Sequence, residues 1–294
     1  MEGPARGRAG RRVADRRVAS WGGEGTAEGE ADDGRDGPVE LRVEGLAISR
    51  DDLVLARDVS FALAGGEALV VTGENGSGKS TLLRALMGLA RRDAGDVRLV
   101  MGGQEVDLPR HTHLLGHHNA MKPDLTVREN LAFWARLLES GAAPDAPGAL
   151  PDAPGAVPDA QGAVPDANGA AAGPDTTGGM SGEVAALIAE AAGPLGLERL
   201  LDLPFAYLSA GQGRRAALAR LWVAPRPVWL LDEPTAALDT ASALAVRDMI
   251  EAHRAEGGVV IAATHVDLGL PVTRSLRLGE TAERERRRER GRDG

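Results

Sequence analysis

No cysteine occurs in the 294-residue chain. That excludes disulfides, thiolate metal sites and attachment of haem through C-x-x-C-H, and it fits a reducing compartment. No uninterrupted apolar stretch approaches the roughly 18 residues that would cross a bilayer. Nor does an apolar segment follow Arg11-Arg12 and Arg16-Arg17, so no secretory signal is expected and the cytoplasm is the expected compartment. A basic excess is missing as well. The net charge is -9, without the positive footprint that general nucleic-acid binding leaves.

Large apolar residues are scarce in three stretches. Residues 1–37 offer little beyond Val13, Val18 and Trp21, with an arginine-rich part followed by an acidic one. So little apolar area does not offset the entropy of ordering, and a disordered tail is expected. From 141 to 180, Pro144, Pro151, Pro158 and Pro165 each open a Pro-Asp-Ala-x-Gly-Ala unit with a period of seven. Proline breaks each turn, so this heptad is no coiled coil; it reads as a low-complexity, disordered insertion. Residues 281–294 are mostly Arg and Glu and read as a solvated tail. About 200 residues remain, enough for one well-buried domain, expected over 38–280.

Within that domain one stretch organises the rest. Gly73, Glu74, Asn75, Gly76, Ser77, Gly78, Lys79 and Ser80, with Thr81 behind them, fit the phosphate-loop pattern G-x-x-x-x-G-K-[ST]. Ala68 to Val71 in front reads as a buried strand, and Leu82, Leu83, Leu86, Met87 and Leu89 behind recur at helical spacing. A strand, a glycine-rich turn and a helix start bring backbone N–H groups and the positive helix end to one point. Glycine is required there because a β-carbon would block the approach of phosphate. Lys79 is placed to reach the terminal phosphates, and the Ser80 hydroxyl to ligate Mg²⁺. The stretch predicts binding of a nucleoside triphosphate.

The remaining elements surround it. Val39 to Ile48 and Leu53 to Leu63 read as strands, and Gly95 to Val100 as a shorter one. His111, His113, His117 and His118 fall within eight positions. No cysteine and no helical i, i+4 histidine pair completes a metal set there, and a strand leaving the core for a polar loop is the preferred reading. Thr126 to Glu129 is a capping box. It opens a helix carrying Leu131, Trp134, Leu137 and Leu138 on one side, with Phe133 either core or a contact for another chain. A helical unit over about 120–222 is therefore expected beside the sheet. Val228 to Leu231 is an apolar run ending in Asp232-Glu233, the pattern of a buried parallel strand presenting acids at the carboxyl edge where ligands bind. Asp232 suits Mg²⁺, held directly or through water, and Glu233 suits a general base that polarises water. A further buried strand, Val259 to Ala263, ends in Thr264-His265.

In order, the phosphate loop, Leu208-Ser209-Ala210-Gly211-Gln212, Asp232-Glu233, Ala237-Leu238-Asp239 and His265 resemble the nucleotide-binding domain of ABC transporters over about 39–279. The wording around Gly116-His117, Lys122, Glu129-Asn130-Leu131, Arg214-Arg215 and Ala219 to Trp222 is similar to the ATP-binding subunits of the cytochrome c maturation haem exporters. The resemblance implies an α/β P-loop NTPase of ABC type: a mostly parallel core sheet, an antiparallel β subdomain and a helical subdomain. It implies ATP and Mg²⁺ as ligands, and Glu233 and His265 as catalytic residues, with His265 on the γ-phosphate. It implies that Ser209, Ala210, Gly211 and Gln212 act in trans within a head-to-tail homodimer, with Asp239 at the seam. Integral membrane permease subunits are the implied partners, and the cytoplasmic face of a bacterial inner membrane the implied place. Three departures stand out, one being Arg50, which falls near the place of the aromatic that stacks on adenine in many relatives. Ala210 replaces the usual glycine of L-S-G-G-Q, and His118 takes the place of the family's magnesium-sensing glutamine.

Other functions remain open at this point. A different ABC exporter would share every motif, since the fold does not set the substrate. Repair clamps need long coiled coils, and ribosome-associated relatives carry two such domains; the chain has neither. An N-K-x-D base-reading motif, expected of a GTPase, is also missing.

Overall fold

The computed structural model describes residues 37–50, 53–139, 182–271 and 274–279. The expected tails and the proline-rich insertion lie outside these. Two β-rich strands, β1 (Val39–Arg50) and β2 (Leu53–Ala64), pair antiparallel, and β4 (Ala94–Met101) and β5 (Gln104–Val106) extend the sheet in the order β2-β1-β4-β5. Leu41, Val43, Leu46 and Ile48 of β1 are all buried. Their alternation slips by one between Val43 and Leu46, where the register with β2 shifts. A bulge there keeps both halves of the strand facing inward.

The second sheet holds β3 (Ala68–Thr72), β6 (Thr112–Leu115), β7 (Val228–Asp232), β8 (Val259–Ala263) and β9 (Arg274–Arg277) in the order β6-β7-β8-β3-β9. Every pairing in it is parallel. All residues of β7 and β8 are buried, because both faces of the sheet are covered. Period-two geometry divides their side chains. Val228, Leu230, Val259 and Ile261 join the cluster under the antiparallel sheet and helix α1 (Lys79–Leu86). Trp229, Leu231, Val260 and Ala262 join the cluster under α2 (Val127–Glu139), α3 (Gly182–Ala192), α4 (Ala210–Val223) and α5 (Thr240–Ala255).

Helix α2 starts on the predicted capping box: the Glu129 N–H donates to Thr126 Oγ1 at 3.1 Å, and the Thr126 N–H donates to Glu129 Oε2 at 2.8 Å. Helix α4 is buried along most of its length, Arg214 and Arg220 included. No helix among the described residues is long and apolar enough to cross a membrane.

Several expectations change. The helix after the phosphate loop ends at Leu86; Met87 still packs against the same core, but Gly88 turns at φ 73° and Leu89 is exposed. Phe133 is exposed too, with Lys122 Nζ 4.7 Å from its ring, while Trp134 is half-buried under Arg220. Strands β5 and β9 have no counterpart in the sequence reading. Both are short and largely exposed, so neither leaves an apolar pattern.

Candidate functional site

Parallel strands deliver all their following loops to one edge. The loops after β3, β6, β7 and β8 therefore bring Gly73–Ser80, Gly116–His118, Asp232-Glu233 and Thr264-His265 to one side of the sheet.

The loop after β3 has the shape of an anion cradle. Gly73 and Gly78 sit at φ 149° and 100°, which side chains rarely adopt, and a β-carbon on Gly73 would lie 2.7 Å from the Leu278 carbonyl oxygen. Gly78 opens α1 without a side-chain cap, so no side chain of the cap residue occupies the first-turn N–H groups that a phosphate would accept from. Glu74, Asn75 and Gly76 are exposed at the tip, and Ser80 and Thr81 are half-buried in the first turn. Lys79 is buried and folds back, donating from Nζ to the carbonyls of Gly73 at 2.8 Å and Glu74 at 3.2 Å. An ammonium satisfied only by carbonyls is ready to exchange them for phosphate oxygens. The Ser77 hydroxyl is buried without a partner.

At the end of β7 the two acids differ. Asp232 Oδ1 is buried and has no partner, and Oδ2 lies 3.8 Å from His117 Nε2. A buried, orphaned carboxylate oxygen is costly unless a cation or donor completes it. Asp232 and the Ser80 hydroxyl therefore fit a Mg²⁺ ion by donor type, both being hard oxygens. Glu233, by contrast, is fully partnered. Its Oε1 lies 2.9 Å from His265 Nδ1, and Oε2 accepts from Thr264 Oγ1 at 3.2 Å. Its backbone is held at φ 46°, a left-handed conformation that costs about 1–2 kcal/mol for such a residue. The Glu233 N–H donates to Ala263 O at 2.8 Å and its carbonyl accepts from Arg214 Nη2 at 2.9 Å.

The Leu208–Gln212 stretch caps α4. Ser209 Oγ accepts the Gln212 N–H at 3.3 Å, and Gln212 Oε1 accepts the Ser209 N–H at 2.9 Å. Ser209 and Ala210 are exposed, so the Ser209 hydroxyl remains free to donate outward. The two small residues after Ser209 differ. A β-carbon on Gly211 would lie 2.7 Å from the Ala237 carbonyl oxygen, whereas the methyl of Ala210 stands at the surface. That is why the Ala210 departure fits and glycine is kept at 211. Asp239 caps α5, accepting the Ser242 N–H at 2.7 Å, and that hydrogen bond holds its carboxyl below the usual range.

The four histidines of the 111–118 stretch separate. His111 bonds the Asp107 carbonyl, His113 is buried against the Ala224 carbonyl, and His118 is exposed. His117, not His118, lies beside Asp232. Sequence reasoning also missed Thr264 and Arg214 as neighbours of Glu233. Thr264 was legible from its place at the end of β8. A buried Arg214 was not, because an arginine in a helix ordinarily reads as surface.

Comparison with known proteins gives a consistent picture. Residues 56–236 match the family model described as ABC transporter. The chain is similar to the cytochrome c biogenesis ATP-binding export protein CcmA of Rhizobium meliloti, 45% identical over 241 residues, covering 82% of this chain and 98% of that protein. The protein of the same name from Agrobacterium fabrum is 41% identical, with 82% and 95% covered. The one from Brucella abortus is 40% identical, with 79% and 88% covered. Among solved structures, an ABC transporter ATP-binding protein from Pyrococcus furiosus superposes with a TM-score of 0.58 at 20% identity, covering 81% of this chain and 96% of that one. A structure of an ATP-binding subunit of an ABC transporter gives 0.57 at 20% identity, with 77% and 79% covered. At that identity the likeness speaks for the fold.

Proposed function

The chain belongs to the ABC transporter family as an ATP-binding member, and from that premise we propose that it is the ATP-hydrolysing subunit of an export complex serving haem delivery in cytochrome c biogenesis. Identity of 45% over nearly the whole of a relative named for that process supports the process. The Glu233 environment carries the chemistry. Its carboxylate is aimed and held by His265 and Thr264, while its neighbour Asp232 keeps an unpaired oxygen for the metal.

In this reading the phosphate loop binds the triphosphate, with Lys79 leaving the Gly73 and Glu74 carbonyls for the β- and γ-phosphate oxygens. Asp232 and Ser80 hold Mg²⁺, which supplies charge neutralisation of the phosphate oxygens when bound. Glu233 accepts the proton of the attacking water, and His265, paired with it, stands where a γ-phosphate oxygen would be met. The Ser209 hydroxyl and the start of α4 face outward, toward the γ-phosphate held by a second copy, with Asp239 at the same seam. Membrane-embedded partners then couple dimer closure to export, which places the chain at the cytoplasmic face of the membrane.

Deleting the gene tests the haem assignment. The expected result is loss of haem-stained c-type cytochromes with b-type cytochromes retained, restored by the wild-type gene and not by a Glu233→Gln allele. Normal c-type staining in the deletion strain would leave an ABC ATPase of a different exporter.

A further inference from the structure

The search beyond the nucleotide site leads to a single guanidinium. Arg214 sits five residues after Ser209 on α4 and is almost fully buried. Its Nη2 donates to the main-chain carbonyls of both Asp232 and Glu233, and its Nη1 donates to the Gly116 carbonyl at 2.7 Å, with Asn119 Oδ1 at 3.5 Å. Three separate segments therefore converge on one side chain: the helix opened by Ser209, the peptides carrying both acids, and the loop carrying His117. None of these acceptors is a side-chain carboxylate. The Arg214 contacts take up neither carboxylate while fixing the backbone behind them.

The backbone being fixed is a strained one. Glu233 adopts φ 46°, and such a conformation persists only where its surroundings over-determine it. Here the Ala263 carbonyl holds the N–H side and Arg214 holds the carbonyl side. Loss of the Arg214 bonds would let the peptide relax, and the carboxylate would swing from His265 and Thr264. We propose that Arg214 is a positioning residue for hydrolysis: it clamps the Asp232 and Glu233 peptides to the helix that begins at Ser209, so that the base is aimed only while that helix and the Gly116 loop are in place.

The proposal rests on Glu233 being the base, so both are tested side by side with the purified full-length chain. Arg214→Met keeps the length and removes the donors. Arg214→Lys keeps the charge and some donors, and a cooperative thermal melt identifies the folded variants before their kinetics are compared. For Arg214→Met, kcat is expected to fall on the order of 10–100-fold, the loss that a small misplacement of a reacting group produces. The KM for ATP should stay within about twofold, because the phosphate loop is not touched. Arg214→Lys should recover part of kcat at unchanged KM. Unchanged kcat in a folded Arg214→Met, a KM that rises in step with any loss, or a lysine variant no better than a folded methionine variant would overturn the clamp. Normal turnover in Glu233→Gln would instead remove the base assignment itself. A dead Glu233→Gln beside a fully active Arg214→Met would leave that assignment standing and remove only the clamp.

Discussion

At the amino end of the parallel sheet, His113 donates from Nε2 to the Ala224 carbonyl, and Arg226 donates to the carbonyls of Pro109 and Thr112. There His253 stacks on Trp229 with ring centroids 3.8 Å apart and its Nε2 3.2 Å from the Pro227 carbonyl. At the carboxyl end, Glu233 meets an exposed histidine, and Asp232 keeps a buried oxygen without a partner. Both ends bury titratable groups. The amino end closes them on main-chain carbonyls of the same chain, which is structural work. The carboxyl end leaves a buried carboxylate oxygen of Asp232 unfilled, where a metal can complete it. The difference separates two residues of one type, His253 and His265, by what they touch.

Substitutions at the carboxyl end should therefore cost turnover, and those at the amino end should cost stability. The largest effect is expected from Glu233→Gln: ATP hydrolysis lower by about 10²–10⁴-fold, the usual worth of a general base, with ATP binding retained, as read by phosphate release and nucleotide titration. Next comes the start of α4. Gly211→Ala drives a methyl against the Ala237 carbonyl, and a backbone atom cannot rotate away. Where the overpacking cost of about 1–3 kcal/mol is met by displacing the helix start from its working position, turnover should fall by roughly 5- to 150-fold. Ala210→Gly should leave turnover nearly unchanged; equal effects of the two would contradict this account of the packing at the start of α4.

At the amino end, a β-carbon on Gly258 would run into the His253 ring, which is stacked and buried and cannot yield cheaply. Gly258→Ala should lose about 1–3 kcal/mol in urea denaturation with ATP affinity unchanged. The smallest effect concerns pH. Burial, with the Arg220 charge adding to it, holds the His113 imidazole well below its usual range. The unfolded chain therefore binds a proton there that the folded chain refuses. Stability is fully present above the ordinary histidine value near 6.5 and falls as pH drops below it, by at most about 1.4 kcal/mol per pH unit from this group. Denaturation midpoints for wild type and His113→Gln should converge as pH is lowered from 7.5 to 5.5; parallel midpoints would show that His113 does not contribute.

The carboxyl end was largely legible in the sequence, because its chemistry is written in contiguous stretches: Gly73–Ser80, Ser209–Gln212, Asp232-Glu233 and Thr264-His265. Each is a short turn or strand end whose residues stand next to one another in the chain, and the resemblance supplied the roles of Ser209–Gln212 and His265. The central strands β3, β7 and β8 were legible for a similar reason, being short runs buried on both faces. The amino end was not. Nothing in the spacing of His113, Trp229 and His253 shows that they meet, since strand register and helix packing bring them together across more than a hundred residues. Arg214 was hidden in the same way, its partners lying 18, 19 and 98 residues away. That His117 lies beside Asp232 depends on how the loop leaves β6, which spacing in the sequence does not fix.

The central claim is that two copies close on two nucleotides, each presenting its Ser209 helix to the other's γ-phosphate. Light scattering of the purified Glu233→Gln chain with excess ATP and Mg²⁺ measures it directly. A particle of twice the chain mass retaining two ATP is the predicted result, reverting to monomer when Ser209 is replaced by Arg. A chain that stays monomeric at every ATP concentration and retains no nucleotide would contradict it.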